Sequence, residues 1–515
     1  MKTVKKTLCL MLALVMSLTV MNVAFAAESD ASEIIETSYG KVKGKSYDGG
    51  MCYFGIPYAK ATTGIRRFTP PEAPEKWEGV LDATKHAKDP IQSTYSKTKQ
   101  SEDSLKVSIW VPDTAEEKPL SVMFWIYGGS YAFGGVDESY YDMSQMANDT
   151  GCIIVSANYR LNVCGFLDLR DVVDGATANN GLRDIVFALK WVNENISAFG
   201  GNPLNVTVFG QSAGGALANA LLAVPSAEPY FHKIISQSAC GDSFYSPSQT
   251  KEVAVRWLDL MGNPSGEDLI NMSAKKLVSK NGDMDTKNIF ERGIDCTFNP
   301  VIDGEFLTCH PSEVPKDKMN KKLLLGCTKD EAALFLFFVV PPLNFIPLAS
   351  DVAMPDYPDE LKEKVTQGIC YPSRKSLITL TTERMYRYPL TALADNYSEK
   401  SDVYVYRYDY EPFIVKLLNI GVFHITEIPI LFNSYLMLGS LKIQPFKDSK
   451  NQAVGSRMRA YWGNFAKYGC PGENWTAYNG ADRATLLINE TDSIVNDPYG
   501  ERMKLYETYV SPWKR

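Results

Sequence analysis

Gly210-Gln211-Ser212-Ala213-Gly214 is the segment of this 515-residue sequence with the clearest capacity for chemistry. Glycines two residues before and two after a serine suit a sharp turn, because a neighbouring backbone can pass without meeting a Cβ. A hydroxyl on such a turn stands clear of the chain, where a base can reach it. A helix beginning just after it directs the positive end of its dipole at any oxyanion formed nearby. That chemistry is nucleophilic attack on an acyl carbon. Five-residue patterns recur by chance, and a glycine-rich helix entry that only packs closely has the same composition, so the surroundings decide.

A second segment, Trp125-Ile126-Tyr127-Gly128-Gly129-Ser130, ends in a glycine pair. Backbone N–H groups on such a turn can converge on one point, which acyl transfer needs because its tetrahedral intermediate carries a negative oxygen. Losing one such donor costs about 3–4 kcal/mol of barrier. The N–H groups of Gly129, Ser130 and Ala213 are the expected oxyanion hole. A serine nucleophile also needs a base. Of the four histidines, His86, His232, His310 and His424, only His310 and His424 lie well downstream of Ser212. His424, in Phe423-His424-Ile425-Thr426-Glu427, is the expected base. The acid that fixes its tautomer is expected between serine and histidine, at Glu331 or its neighbour Asp330. Spacing alone leaves both open. The order serine, acid, histidine is the one an α/β-hydrolase sheet provides.

The elements around these residues fit that arrangement. Residues 121–127 (SVMFWIY), 152–158 (CIIVSAN) and 205–209 (NVTVF) read as buried strands by their β-branched and aromatic content. Residues 180–199 space Ile185, Ala188, Leu189 and Val192 as one helix face. Ile234-Ile235-Ser236 opens a further strand, and Leu323-Leu324-Leu325 precedes the acidic pair. Strands joined by connections of crossover length predict an α/β fold: a mostly parallel central sheet flanked by helices. Residues 240–450, richer in helical and loop segments, supply long insertions that would form a pocket or gorge. Residues 334–348 and 413–423 are apolar, flank the acid and the base in sequence, and suit either a pocket lining or plain core.

Composition narrows the classes. Apolar residues make up 45% and charged residues 22%, which excludes collagen-like and wholly disordered chains. With 53 basic against 60 acidic residues and no basic run, the net charge of −7 argues against a nucleic-acid partner. Lys2, Lys5 and Lys6, an apolar run over 8–20 and the small-x-small site Ala24-Phe25-Ala26 read as a secretory signal cut after Ala26. Residues 27–515 then form one domain, with no internal repeat or linker, expected to be secreted. No stable membrane span is expected, since the later apolar stretch over 332–349 is broken by Pro341, Pro342 and Pro347. Nine cysteines remain after Cys9 goes with the signal, an odd number and a low density, so the core rather than disulfides carries stability. There is no CxxC and no HExxH, and nothing in the sequence supports a metal site.

Longer stretches resemble the type-B carboxylesterase and cholinesterase family of α/β-hydrolases. They are Phe54-Gly55-Ile56-Pro57-Tyr58-Ala59, Asn158-Tyr159-Arg160-Leu161, Asn180-Gly181-Leu182-Arg183-Asp184, Phe199-Gly200-Gly201-Asn202-Pro203 and Trp462-Gly463-Asn464-Phe465-Ala466, in that order around the serine. The resemblance implies Ser212 as nucleophile, Glu331 rather than Asp330 as acid, His424 as base, an oxyanion hole at Gly129, Ser130 and Ala213, and no cofactor. With it the expected function is a serine carboxylesterase acting on small-molecule esters through an acyl-serine intermediate, secreted by virtue of the signal segment and, where residues 334–348 and 413–423 line the pocket, suited to small apolar acids or alcohols. A lipase or peptidase on the same fold, or a non-catalytic binding relative, is the alternative. The chain departs from the family in several places. Ser130 stands where a third glycine is usual, and its Cβ would narrow the acyl side. Neutral Gln211 precedes the nucleophile where Glu is common. Ile425 follows the histidine where small residues are usual. The positions of the first family disulfide look like Pro90 and Ser104. The loop between them has no tryptophan, so choline esters are not expected substrates.

Overall fold

The computed structural model describes residues 33–509, apart from 93–98, 137, 139, 242, 285–295, 336–358, 368–372, 439–440 and 444–447. The signal segment, most of the apolar stretch over 334–348, part of the loop between Pro90 and Ser104, and Cys370 lie outside the described residues.

Among the described residues, eleven strands form the central sheet. In chain order they are β1 (Lys45–Tyr47), β2 (Gly50–Pro57), β3 (Lys106–Pro112), β4 (Leu120–Ile126), β5 (Ile153–Ala157) and β6 (Gly201–Gln211). There follow β7 (Lys233–Gln237), β8 (Lys322–Thr328), β9 (Val403–Tyr408), β10 (Thr485–Ile488) and β11 (Ser493–Val495). Their order across the sheet is β11-β10-β9-β8-β7-β6-β4-β5-β3-β2-β1. The strands from β10 to β5 in that order pair in parallel, and the outer strands pair antiparallel. This is the expected mostly parallel sheet.

The parallel strands are buried almost throughout, as layers of helix on both faces require. Helix α1 (Asn180–Asn195) turns Leu182, Ile185, Ala188, Leu189 and Val192 into the core, the face its sequence spacing defines. Helix α2 (Ala213–Ala220) follows β6 directly. Later helices are α3 (Phe413–Leu418), α4 (Ile428–Leu431), α5 (Ser449–Tyr468) and α6 (Glu501–Tyr509). The segment over 413–423 divides between core and surface. Val415, Val422 and Phe423 are buried, whereas Phe413, Leu417 and Leu418 face outward.

Two of the sequence stretches quoted above meet in the core. Arg160, just after β5, clamps Asp184 of α1 through Nε at 2.8 Å and Nη2 at 2.6 Å. Its Nη1 donates to the carbonyls of Arg66, Arg67 and Thr69. One guanidinium thus joins the sheet, the helix that crosses it and the N-terminal segment. Cys152, Cys164, Cys309, Cys327 and Cys470 are free thiols. Among the described residues, no helix is long and apolar enough to cross a membrane.

Candidate active site

β6 ends at Gln211, and α2 begins at Ala213, so Ser212 alone makes the turn between them. Its backbone sits at φ 59° and ψ −128°, a conformation that L-residues rarely adopt and that costs about 1–3 kcal/mol. The surroundings hold it there. Ser212 N–H donates to the carbonyl of Gln237 at the end of β7 (2.9 Å), and its own carbonyl accepts from Ala216 N–H. The flanking glycines are steric necessities. A Cβ on Gly210 would stand 2.5 Å from the carbonyl oxygen of Gly214, and one on Gly214 would stand 2.0 Å from that of Ile126.

The glycine pair after β4 presses against this turn. A Cβ on Gly128 would come within 2.6 Å of the Gln211 carbonyl and 3.0 Å of Ser212 Cβ. Gly129, Ser130 and Tyr131 follow with positive φ of 120°, 52° and 59°. The loop carrying Gly129 and Ser130 therefore adjoins the turn carrying Ser212. Ala213, as the first residue of α2, has an N–H with no acceptor inside the helix. The three expected oxyanion donors belong to these two adjoining turns.

Glu331 and His424 come from loops after β8 and before α4. Backbone pairing locks the loops together: His424 N–H donates to the Glu331 carbonyl at 3.1 Å, and Asp330 N–H donates to Val422 at 2.8 Å. Glu331 is fully buried and His424 is 3% exposed. His424 Nδ1 lies 2.5 Å from Glu331 Oε2. The other carboxylate oxygen accepts from Ser238 Oγ (2.5 Å) and Thr328 N–H (2.6 Å). With both oxygens engaged as acceptors, Nδ1 carries the proton and Nε2 is left with a lone pair. Asp330 turns away and accepts from Val422 N–H at 3.1 Å. The two adjacent acids are thus separated by geometry, and Glu331 is the one on the imidazole. On the far side of the ring, Gln211 Nε2 lies 3.3 Å from His424 Nε2. The residue before Ser212 therefore touches the imidazole, so serine turn, base and acid share one site.

The other downstream histidine, His310, is elsewhere. It is buried against Phe244, accepts from Ser312 N–H through Nδ1 (3.2 Å), and has Nε2 3.3 Å from the carbonyl of Gly241. Burial pushes its pKa down to about 4, so it is a neutral structural residue.

Several residues of the site carry no signal in the sequence. Ser238 and Thr328 fill one oxygen of Glu331 from the ends of β7 and β8. Phe335 and Tyr386 bring their rings to 5.4 and 5.3 Å from the imidazole. Glu427, three residues past the histidine, is a second fully buried carboxyl. Gln237 Nε2 (3.0 Å) and Tyr406 OH (2.9 Å) donate to it, and among the described residues no cation does. Its proximity to His424 in sequence is the only hint that could have found it. Among the described residues no cluster of acidic, histidine or cysteine side chains could hold a metal ion.

A buried imidazole held by a carboxylate on one side and touched on the other by the residue before a strained serine, beside a glycine-paired turn, is equipped for acyl transfer. The relatives agree with that chemistry. Residues 31–506 match the model of the Carboxylesterase family. Para-nitrobenzyl esterase of Bacillus subtilis (strain 168) is 36% identical over 495 residues, covering 92% of this chain and 98% of that protein. Acylcarnitine hydrolase of Rattus norvegicus is 28% identical, covering 87% and 85%. Among solved structures, a PNB esterase superposes with a TM-score of 0.81 at 34% identity, covering 92% of this chain and all of the other. A carboxylesterase of Geobacillus stearothermophilus gives 0.80 at 32% identity, covering 92% and 99%. On sequence, fold and site together, this α/β-hydrolase chain belongs to the carboxylesterase family and is a carboxylic ester hydrolase.

Proposed function

We propose that this chain is a secreted serine carboxylesterase for esters of small apolar acids or alcohols. Ser212 is the nucleophile, His424 the base and Glu331 the acid that orients it. Neutral His424 takes the Ser212 proton as Oγ attacks the ester carbonyl. The N–H groups of Gly129, Ser130 and Ala213 stabilise the oxyanion. The intermediate collapses as His424 protonates the departing alcohol. Water then repeats the sequence on the acyl-serine and releases the acid.

The observation that carries this reading is the 2.5 Å contact of His424 with Glu331, on an imidazole whose other nitrogen lies 3.3 Å from the side chain of Gln211, the residue before the strained turn at Ser212. The rings of Phe335 and Tyr386 beside the imidazole support a preference for apolar groups. Export rests on the basic residues Lys2, Lys5 and Lys6, the apolar run over 8–20 and Ala24-Phe25-Ala26.

A panel of p-nitrophenyl esters from acetate to palmitate tests the reading, run beside Ser212→Ala. Short and medium chains should be cleaved, with the variant reduced at least about a thousandfold. A variant that keeps its full rate would end the assignment. A rise in activity only above substrate solubility would indicate a lipase instead. N-terminal sequencing of the protein recovered from culture medium tests the cut after Ala26.

A further inference from the structure

The nitrogen that must accept the Ser212 proton already has a polar neighbour. Glu331 accepts on both oxygens, so the neutral imidazole carries its proton on Nδ1 and presents a lone pair at Nε2. Only a donor is matched to that lone pair, and the Gln211 amide nitrogen lies 3.3 Å from it. Gln211 is 3% exposed, and it is fixed as the last residue of β6. The other end of its amide points toward the oxyanion loop, where a Cβ on Gly128 would stand 3.3 Å from Oε1. One neutral amide therefore spans the base and the loop that carries Gly129 and Ser130.

We propose that Gln211 is a positioning residue for the esterase reaction, its amide holding Nε2 of His424 in the proton-accepting state beside Ser212. This rests on the serine-esterase reading above. At 3.3 Å the contact is long for a hydrogen bond, so the Ser212 hydroxyl can displace it when the reaction begins. The contact exists only with the neutral ring. Once His424 is protonated, two N–H groups face each other, and the amide opposes that state. A carboxylate in its place would accept from the imidazolium and act in the opposite direction.

Among the described residues, the charged and titratable groups around this imidazole are these. Glu331 lies on Nδ1, and Tyr386 faces the ring. Behind Glu331 stand Glu427, Cys327 and Tyr406, with Arg387 acting on Cys327. None of them is replaced by a change at Gln211, so a shift in the acid limb of the pH profile reports the amide.

The test is the pH dependence of kcat/KM for p-nitrophenyl acetate from pH 4.5 to 9, for the wild-type protein, Gln211→Met, Gln211→Glu and Ser212→Ala. Gln211→Met should raise the midpoint of the acid limb by about half a pH unit, as expected for losing one donor. Gln211→Glu should raise it by about one unit or more, a tenfold loss on the acid side. A merely structural role would lower the plateau and leave the midpoint in place. An unmoved or lowered midpoint in both folded variants overturns the proposal. If circular dichroism shows that Gln211→Glu does not fold, Gln211→Met decides alone. The Ser212→Ala arm separates the two failures: a fully active Ser212→Ala sinks the serine reading, whereas unmoved Gln211 profiles with a dead Ser212→Ala sink only this inference.

Discussion

Glu331 touches His424 twice, through its backbone carbonyl at 3.1 Å and through Oε2 at 2.5 Å from Nδ1. The remaining oxygen, Oε1, is held by two groups that donate to it, Ser238 Oγ and Thr328 N–H. The side chain therefore cannot rotate without stranding a buried donor. This makes Glu331→Gln an informative change. The new amide must point its oxygen at Ser238 and Thr328, which leaves its NH2 on Nδ1. Nδ1 then has to become the acceptor, the proton moves to Nε2, and the ring can no longer take a proton from Ser212. We expect kcat to fall about ten-thousandfold with little change in KM, measured with p-nitrophenyl acetate at pH 8. A loss under tenfold would show that the tautomer is not set by this carboxylate.

The second buried carboxyl, Glu427, predicts how stability depends on pH. Burial is the main cause that raises its pKa to about 7, and the charge of Glu331 adds to it. The folded state thus holds this proton more tightly than the unfolded chain, where a glutamate titrates in its ordinary range. Its contribution is most favourable below that range and is lost as pH rises toward 7, by up to about 3 kcal/mol. Glu427→Gln should abolish the loss. The indole of Trp462 can only donate, and it holds the oxygen of Gln237 at 3.0 Å, so Gln237 offers its NH2 to residue 427. A glutamine there can accept from Gln237 and donate to the Tyr406 hydroxyl. Urea denaturation at pH 5 and pH 8 should show the variant gaining on wild type as pH rises. Equal differences at the two pH values would mean that Glu427 does not titrate in that window.

How much of this was legible follows from how local each signal is. The turn at Ser212 could be read because its steric demands fall on Gly210 and Gly214, within two residues. The strands at 121–127 and 152–158 were read to within a residue of β4 and β5, because buried parallel strands are continuous apolar runs. β6 is longer than the NVTVF run, extending from Gly201 to Gln211, since its polar ends carry no strand signal. The choice between Asp330 and Glu331 was not local. It depends on which carboxyl the loop after β8 turns toward the imidazole and which toward Val422, and adjacent acids look alike in a one-dimensional pattern. Ser238 was invisible for the same reason, as it joins Glu331 from 93 positions away. Residues 413–423 could be read as pocket lining or plain core because an apolar run does not show which of its residues turn inward: Val415 is buried and Leu417 is exposed.

Ser130 shows what the family departure in the oxyanion loop does. Its φ of 52° is a left-handed value that glycine adopts freely and serine does not. Ser130→Gly should therefore raise stability by about 1 kcal/mol, read as a shift in thermal midpoint. Where this Cβ narrows the acyl side, its removal should also favour larger acids. The ratio of kcat/KM for p-nitrophenyl butyrate to that for acetate should rise several-fold. An unchanged ratio would place the acyl group away from this side chain.

Tyr386 lies in a π-helical turn, Glu383–Arg387, a conformation that is rare and frequent at functional sites. The turn is braced from the C-terminal helix α6. Arg502 donates to the buried Glu383 through Nε (2.7 Å) and Nη2 (2.6 Å), and the Tyr506 hydroxyl adds a third bond at 3.0 Å. Arg502→Met removes the cation and leaves the carboxylate with one donor, which should cost about 2–3 kcal/mol. Because the turn carries Tyr386 against His424, kcat/KM should fall as well, by several-fold, at temperatures where the variant remains folded. The double variant Glu383→Gln with Arg502→Met removes the stranded charge and should recover at least half of the lost stability. It should not recover activity, since the clamp on the turn is still absent. Full activity in Arg502→Met would show that the π-helical turn holds Tyr386 in place without help from α6.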